Sequence, residues 1–246
     1  MPDLTVLAWA LLAVAAVVIG LSKTAVPGGG TVAVAIFAAV LPARQSTGTI
    51  LLLLIVADVF AVLAYRRHAN WRALLRLAPA VVVGLGLGVV FLAVANDAWV
   101  KRVIGVILLG VIALTLLRRR MSRTVADAEP HRVAAATYGT LGGFTTMVAN
   151  AAGPVMSMYF LAARFSVKEF LGTAAWFFAL VNISKMPFSI GLGLITVPSV
   201  LLDLVLVPLV VGGALLGRWI ADRIDQKLFE RLVIVFTLVG AVYLLF

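Results

Sequence analysis

Three charged side chains stand inside or beside long apolar stretches of the sequence: Lys23, Asp58 and Lys185. Ionisable groups in an apolar membrane interior are costly, and those that persist mark ion, proton or substrate pathways. Asp58 offers a carboxylate that can carry a proton between two compartments or pair with an ammonium group. Lys185 admits three readings: it attracts an anion, it pairs with Asp58, or its long stem carries the charge out to an interface. Lys23 stands either at an interface or at the tip of a re-entrant turn that points into a site. Asn182 precedes Lys185 by three residues, on one face of a helix, and its amide both donates and accepts hydrogen bonds.

Two interruptions of the apolar pattern add further candidates. The first reads Ser22-Lys23-Thr24-Ala25-Val26-Pro27-Gly28-Gly29-Gly30-Thr31, the second Thr145-Thr146-Met147-Val148-Ala149-Asn150-Ala151-Ala152-Gly153-Pro154. Proline removes a backbone donor and glycine weakens a helix. Such backbone survives in lipid only where protein covers it or a wet cavity borders it. A helix restarting after a break presents free N–H groups and the positive end of its dipole, which favours an anion. Thr31 and Ser157 bring hydroxyls, and Asn150 brings an amide. Gly28, Gly29, Gly30 and Gly153, with Pro154, let backbone come close to a ligand. The expected substrate-binding set is these residues with Lys23 and Lys185, for a small anion, with Asp58 and Asn182 as coupling residues. Close helix packing is the other reason for small residues at these positions.

Other chemistries lack their parts. The chain has no cysteine, and its two histidines, His68 and His131, lie in basic loop segments. It carries no His-Glu-x-x-His zinc helix, and Asp203, nearer a helix end, is the one acidic residue besides Asp58 that lies more than one turn inside a run. No metal, cofactor or enzymatic activity is expected.

The elements that hold these residues follow from composition. The 246 residues are 63% hydrophobic and 12% charged, with a mean hydropathy of +1.15, against about 25% charged in soluble domains. The fold class is therefore an all-α polytopic membrane protein surrounded by lipid, with room for a homodimer and none for nucleic acid. A spanning helix needs about 20 apolar residues. The runs are 4–22 and 26–41, which form a hairpin at 4–41, then 46–64, 73–94 and 99–117. After the linker at 118–131 come 132–150 and 151–163, a second hairpin at 132–163, then 169–190, 197–220 and 228–246. Asp3, with no basic residue before the first run, argues against a cleaved signal peptide.

The two breaks lie half a chain apart. A shift of 124 residues brings Gly29 onto Gly153, Arg44 onto Lys168, Gly48-Thr49 onto Gly172-Thr173, Asp58 onto Asn182 and Gly88 onto Gly212. The expected organisation is a single transmembrane domain of two repeats, 1–120 and 121–246, each a broken helical hairpin plus three transmembrane helices. That makes eight to ten membrane segments, according to whether the hairpin arms cross or re-enter. Four loop regions carry 15 of the 20 basic residues, and the remaining loops carry only Arg44, Lys101 and Arg102. The positive-inside rule assigns the rich loops to the cytoplasm and both termini to the outside of the inner membrane. The second repeat then enters from the face opposite to the first. Inverted repeats with matched breaks are characteristic of secondary transporters.

The residues at these positions resemble a known family. The Gly-rich turn, the stretch Pro42-Ala43-Arg44-Gln45-Ser46-Thr47-Gly48-Thr49, and a helix ending in Tyr65-Arg66-Arg67-His68 fill the segment from Gly20 to Trp71. The second half repeats the plan with Asn150-Ala151-Ala152-Gly153-Pro154 and Glu169-Phe170-Leu171-Gly172-Thr173. The chain resembles the sulfite exporter TauE/SafE family of anion permeases, also called TSUP, over nearly its whole length. The resemblance implies export of a sulfur-containing anion such as sulfite, a sulfonate or thiosulfate. A passive anion channel of the same fold is the alternative, and proton coupling through Asp58 is the expected drive.

Overall fold

The computed structural model describes residues 4–25, 30–96, 98–100 and 132–223, together with positions 102, 103, 106, 225, 228, 231 and 235. The expected Gly28 and Gly29, the linker at 118–131, and most of the runs at 99–117 and 228–246 lie outside them. The described elements are helical: α1 (Val6–Thr24), α2 (Gly30–Val40), α3 (Ala43–Tyr65), a 3₁₀ turn (Arg66–His68), α4 (Trp71–Val94), α5 (Arg132–Ala149), α6 (Ala152–Ala162), α7 (Val167–Gly191) and α8 (Val197–Ala221).

Polar residues set the starts. Thr5, Asn70 and Ser166 accept from Ala8, Ala73 and Glu169 N–H groups, and Thr196 with Ser199 forms a reciprocal capping box. Each satisfies a donor that the first turn leaves free. Among the described residues four helices are long and apolar enough to cross a membrane: Val6–Thr24, Arg44–His68, Trp71–Val94 and Val197–Ala221. The chain is an all-helical polytopic membrane protein. α7 has 25 residues but carries Lys168, Glu169, Asn182 and Lys185, which lower its apolar character. α2 and α6 have 11 residues each, about 16 Å of helix, roughly half of a hydrocarbon core about 30 Å thick.

The packing follows the 124-residue interval. Advanced by that interval, α3 moves to 167–189, against an observed Val167–Gly191, and every other end of α1, α2 and α4 falls within three residues of its counterpart in α5, α6 and α8. Contacts at small residues give the helix directions. Gly48, near the start of α3, has no room for a side chain: a Cβ there would lie 1.9 Å from the Leu194 carbonyl oxygen, just past the end of α7. Gly172, near the start of α7, meets Tyr65 and His68 at the end of α3 in the same way, at 2.7 and 2.8 Å. α3 and α7 are therefore antiparallel. Val17 meets Gly213 and Leu21 meets Gly217, so α1 and α8 run parallel. Leu77 meets Gly139 and Val81 meets Gly143, so α4 and α5 also run parallel.

These pairings divide the interior into two apolar cores. One joins α1, α2, α3 and α8 through Leu12, Ile19, Phe37, Leu53, Leu206 and Val210. The other joins α4 to α7 through Leu77, Leu85, Met156, Tyr159, Phe160 and Phe177. Each core thus takes its hairpin from one half of the chain and a long helix from the other, so neither half packs alone. Asn70, at the α3–α4 junction, ties the two cores: its amide donates to Glu169 at 2.9 Å and its N–H to Thr173 at 2.9 Å.

Candidate functional site

The ends of α1 and α5 and the starts of α2 and α6 converge on one cavity. It is lined by Ser22, Lys23, Gly30, Thr31, Leu54, Thr146, Asn150, Gly153, Ala174, Ala175, Phe178 and Asn182, around about 520 Å³ of space that includes its mouth. Gly30 and Thr31 open α2, and Gly153 lies in the first turn of α6, so both short helices begin at the cavity wall. Their first-turn N–H groups lack intrahelical partners and carry the positive dipole end. Ala151, the cap of α6, offers no side-chain hydrogen bond. Pro154 sits in the first turn, where its missing N–H costs nothing, and is buried.

The break between α5 and α6 turns on Asn150, whose φ of +52° lies in the left-handed region. Asparagine tolerates that conformation better than most residues. Its side chain is held from both sides: Nδ2 donates to the Thr47 carbonyl at 2.9 Å, and Oδ1 accepts from Lys185 Nζ at 2.6 Å. Lys185 also donates to the carbonyl and hydroxyl oxygens of Thr146, at 2.9 and 3.0 Å. All three ammonium protons are thereby engaged. Lys185 is 2% exposed, so its charge does not reach an interface. It stands behind Asn150 and braces the break, with neutral partners only.

Asp58 takes its charge partner from α1. Lys23 Nζ lies 2.7 Å from Asp58 Oδ1 and 4.0 Å above the centre of the Phe178 ring. Asn182 Nδ2 donates to Asp58 Oδ2 at 2.6 Å. Asp58 and Asn182 are each 1% exposed. The end of α1 is fixed nearby: Tyr65 Oη donates to the Thr24 carbonyl at 2.9 Å, and Thr24 Oγ1 donates to the Ala214 carbonyl at 2.8 Å. Asp58 precedes the end of α3 by seven residues, about 10 Å of helix, so Lys23 is held about two turns inside that end rather than at an interface.

Of the expected site residues, Lys23, Gly30, Thr31, Asn150, Gly153 and Asn182 line the cavity, with Asp58 and Lys185 one layer behind. Ser157 is buried on α6, one turn beyond Gly153, and is not part of the lining. Trp176 serves the α3–α4 junction instead of the cavity, donating to the Arg66 carbonyl at 3.3 Å and packing on Trp71. Ser22, Thr146 and Phe178 are lining residues that sequence reasoning missed. Ser22 and Thr146 are themselves 124 residues apart, and Phe178 precedes Asn182 by one helical turn, so both signals were present.

Two lysines and one aspartate give the buried cluster a formal excess of one positive charge, beside hydroxyls, an amide and two helix starts, all features that favour an anion. Among the described residues no group of three His, Asp or Glu could hold a metal ion. The family model described as sulfite exporter TauE/SafE matches residues 12–244. No curated protein and no solved structure matches the chain.

Proposed function

The chain belongs to the sulfite exporter TauE/SafE family, whose members are transporters rather than enzymes, and from that premise we propose that it exports a small sulfur-containing anion through the inner membrane. Sulfite, a sulfonate or thiosulfate is the substrate. The observation that carries this reading is the excess positive charge at a cavity where two short helices begin. The anion is held by the α2 and α6 N-termini, Thr31, Asn150 and Lys23, with Lys185 fixing Asn150. Asp58 links transport to a proton.

The two halves, 1–120 and 121–246, are inverted repeats in this reading. The matched helix ends support it, and so do the directions. α3 opposes its counterpart α7, and the chain reversals α3–α4 and α7–α8, with the parallel pairs α1–α8 and α4–α5, set α1 against α5 and α4 against α8 as well. Basic residues after α3 and before α7 face the cytoplasm, and both termini face outward.

Flux of radiolabelled sulfite and of a panel of sulfonates into proteoliposomes tests the proposal. Protein-dependent accumulation against an anion gradient, driven by an imposed pH difference, is expected. Flux that only runs down a gradient identifies a channel, and absence of flux for every sulfur anion overturns the reading.

A further inference from the structure

Asn182 carries an unused atom. Its Nδ2 donates to Asp58, but its Oδ1 is buried and has no hydrogen-bond partner among the described residues. A buried carbonyl oxygen without a donor is costly and calls for an explanation. A neutral carboxylic acid would satisfy it, because an acid and a primary amide form a closed pair: N–H to one acid oxygen, O–H to the amide oxygen. The acid oxygen that would carry this O–H is Asp58 Oδ1, the atom on which Lys23 now rests. Lys23 also borders the cavity, so its ammonium can serve the carboxylate or an anion in the cavity.

We propose that Lys23 is shared between Asp58 and the transported anion, and that Asn182 completes the exchange by accepting, on its free Oδ1, the proton of neutral Asp58. This rests on the anion-transport reading above. The step balances: a proton from the aqueous phase bonds to Asp58 Oδ1, the Lys23–Asp58 ion pair breaks, and the anion takes the ammonium. Before it, Lys23, Lys185 and Asp58 sum to one positive charge; after it, Lys23, Lys185, neutral Asp58 and a monoanion sum to the same. With a single carboxylate to protonate, the cluster's charge is unchanged for one proton per singly charged anion, which specifies the stoichiometry and selects a sulfonate or hydrogensulfite over doubly charged thiosulfate. Helices α1, α2, α7 and α8 pack on α3. Towards Asp58, α1 brings Lys23 and α7 brings Lys185 and Asn182; α2 carries no charged side chain, and the charges of α8 stand near its two ends, Asp203 in the second turn and Arg218 in the last.

The test uses purified full-length protein in detergent with sulfite and with methanesulfonate, which keeps a single charge from pH 5 to 9. Calorimetry in two buffers of different ionisation enthalpy should find one proton taken up per methanesulfonate bound, and affinity falling about tenfold per pH unit above the midpoint. Infrared difference spectra should gain a protonated-carboxyl band on binding. The band should vanish in Asp58→Asn, whose anion affinity no longer depends on pH, and move to higher frequency in Asn182→Leu, where the O–H loses its acceptor. Binding without proton uptake, or a band that survives in Asp58→Asn, overturns the shared-lysine exchange. An unmoved band in Asn182→Leu removes Asn182 from it. If neither anion binds, the transport reading itself fails and takes this one with it.

Discussion

Asn182 donates to Asp58 across 2.6 Å although 124 residues separate them, and 124 is the interval that carries each helix of the first half onto its counterpart in the second. Two positions that correspond between the halves thus touch each other midway along the antiparallel α3–α7 pair. The frame is repeated there but the chemistry is not. Asp58 faces Asn182, Lys23 corresponds to Met147, and Lys185 to Ala61.

The ion pair should behave as one unit. Lys23→Met leaves a buried carboxylate without its cation, a loss of about 3–5 kcal/mol, read as a lower Tm in detergent. Lys23→Met/Asp58→Asn should regain most of that stability while remaining inactive in flux. A double variant no more stable than the single would show that the two charges are not coupled.

Lys185 should govern binding through Asn150. Lys185→Met removes three hydrogen bonds and the uncompensated charge, and anion affinity should drop at least tenfold. Lys185→Arg should not restore it, because a planar guanidinium cannot reproduce the three-way ammonium geometry. Titration of the purified variants with sulfite measures both, and full rescue by arginine would reduce Lys185 to a source of charge.

At Asn150, conformation and side chain can be separated. Asn150→Gly keeps the left-handed turn, and Asn150→Ala adds a strain of about 1–2 kcal/mol. Both should lose anion binding, but alanine should unfold at a lower temperature. Equal melting temperatures would mean that the turn relaxes.

Glycine positions predict a contrast in assembly. Gly48→Ala and Gly172→Ala drive a methyl into backbone, so each should destabilise by at least the roughly 1–3 kcal/mol typical of overpacking. Gly86→Ala and Gly212→Ala, with no described residue within 4 Å, should leave the Tm unchanged or slightly raised. Thermal unfolding monitored by size-exclusion chromatography distinguishes the two pairs.

The chain has no cysteine, so single introduced thiols report topology directly. Arg67→Cys should react with a membrane-impermeant maleimide only from the cytoplasmic face, and Val197→Cys only from the outside. Labelling of both from one face would refute the inverted arrangement.

The helical membrane architecture was legible because apolar runs about 20 residues long have no other stable state in lipid. Asp58 and Asn182 were legible as a pair of equivalent positions because the interval survives in the residues themselves. What one chain does not encode visibly is which side chains meet across helices. The preference of Asp58 for Lys23 over Lys185 depends on how far α1 reaches past Asp58, and that depth is set by Tyr65 and Thr24 holding its end. Lys185 looked like a substrate ligand by charge alone. Its role behind Asn150 follows from the left-handed turn, which aims the amide at α7. The place of Trp176 at the α3–α4 junction is illegible for the same reason, since a residue in mid-helix faces the cavity or the junction according to a rotation that the apolar stretch around it does not register.

The glycine contacts at the two ends of the α3–α7 pair have one more implication. The pair is fastened by backbone at its extremities and leaves its middle to side chains alone. On the transport reading proposed above, assembly and selectivity would therefore reside in different residues. On that reading, exchanges at 178 and 182, or paired exchanges at 23 and 58, would change what the cavity presents while the glycine contacts still fasten the ends of the α3–α7 pair.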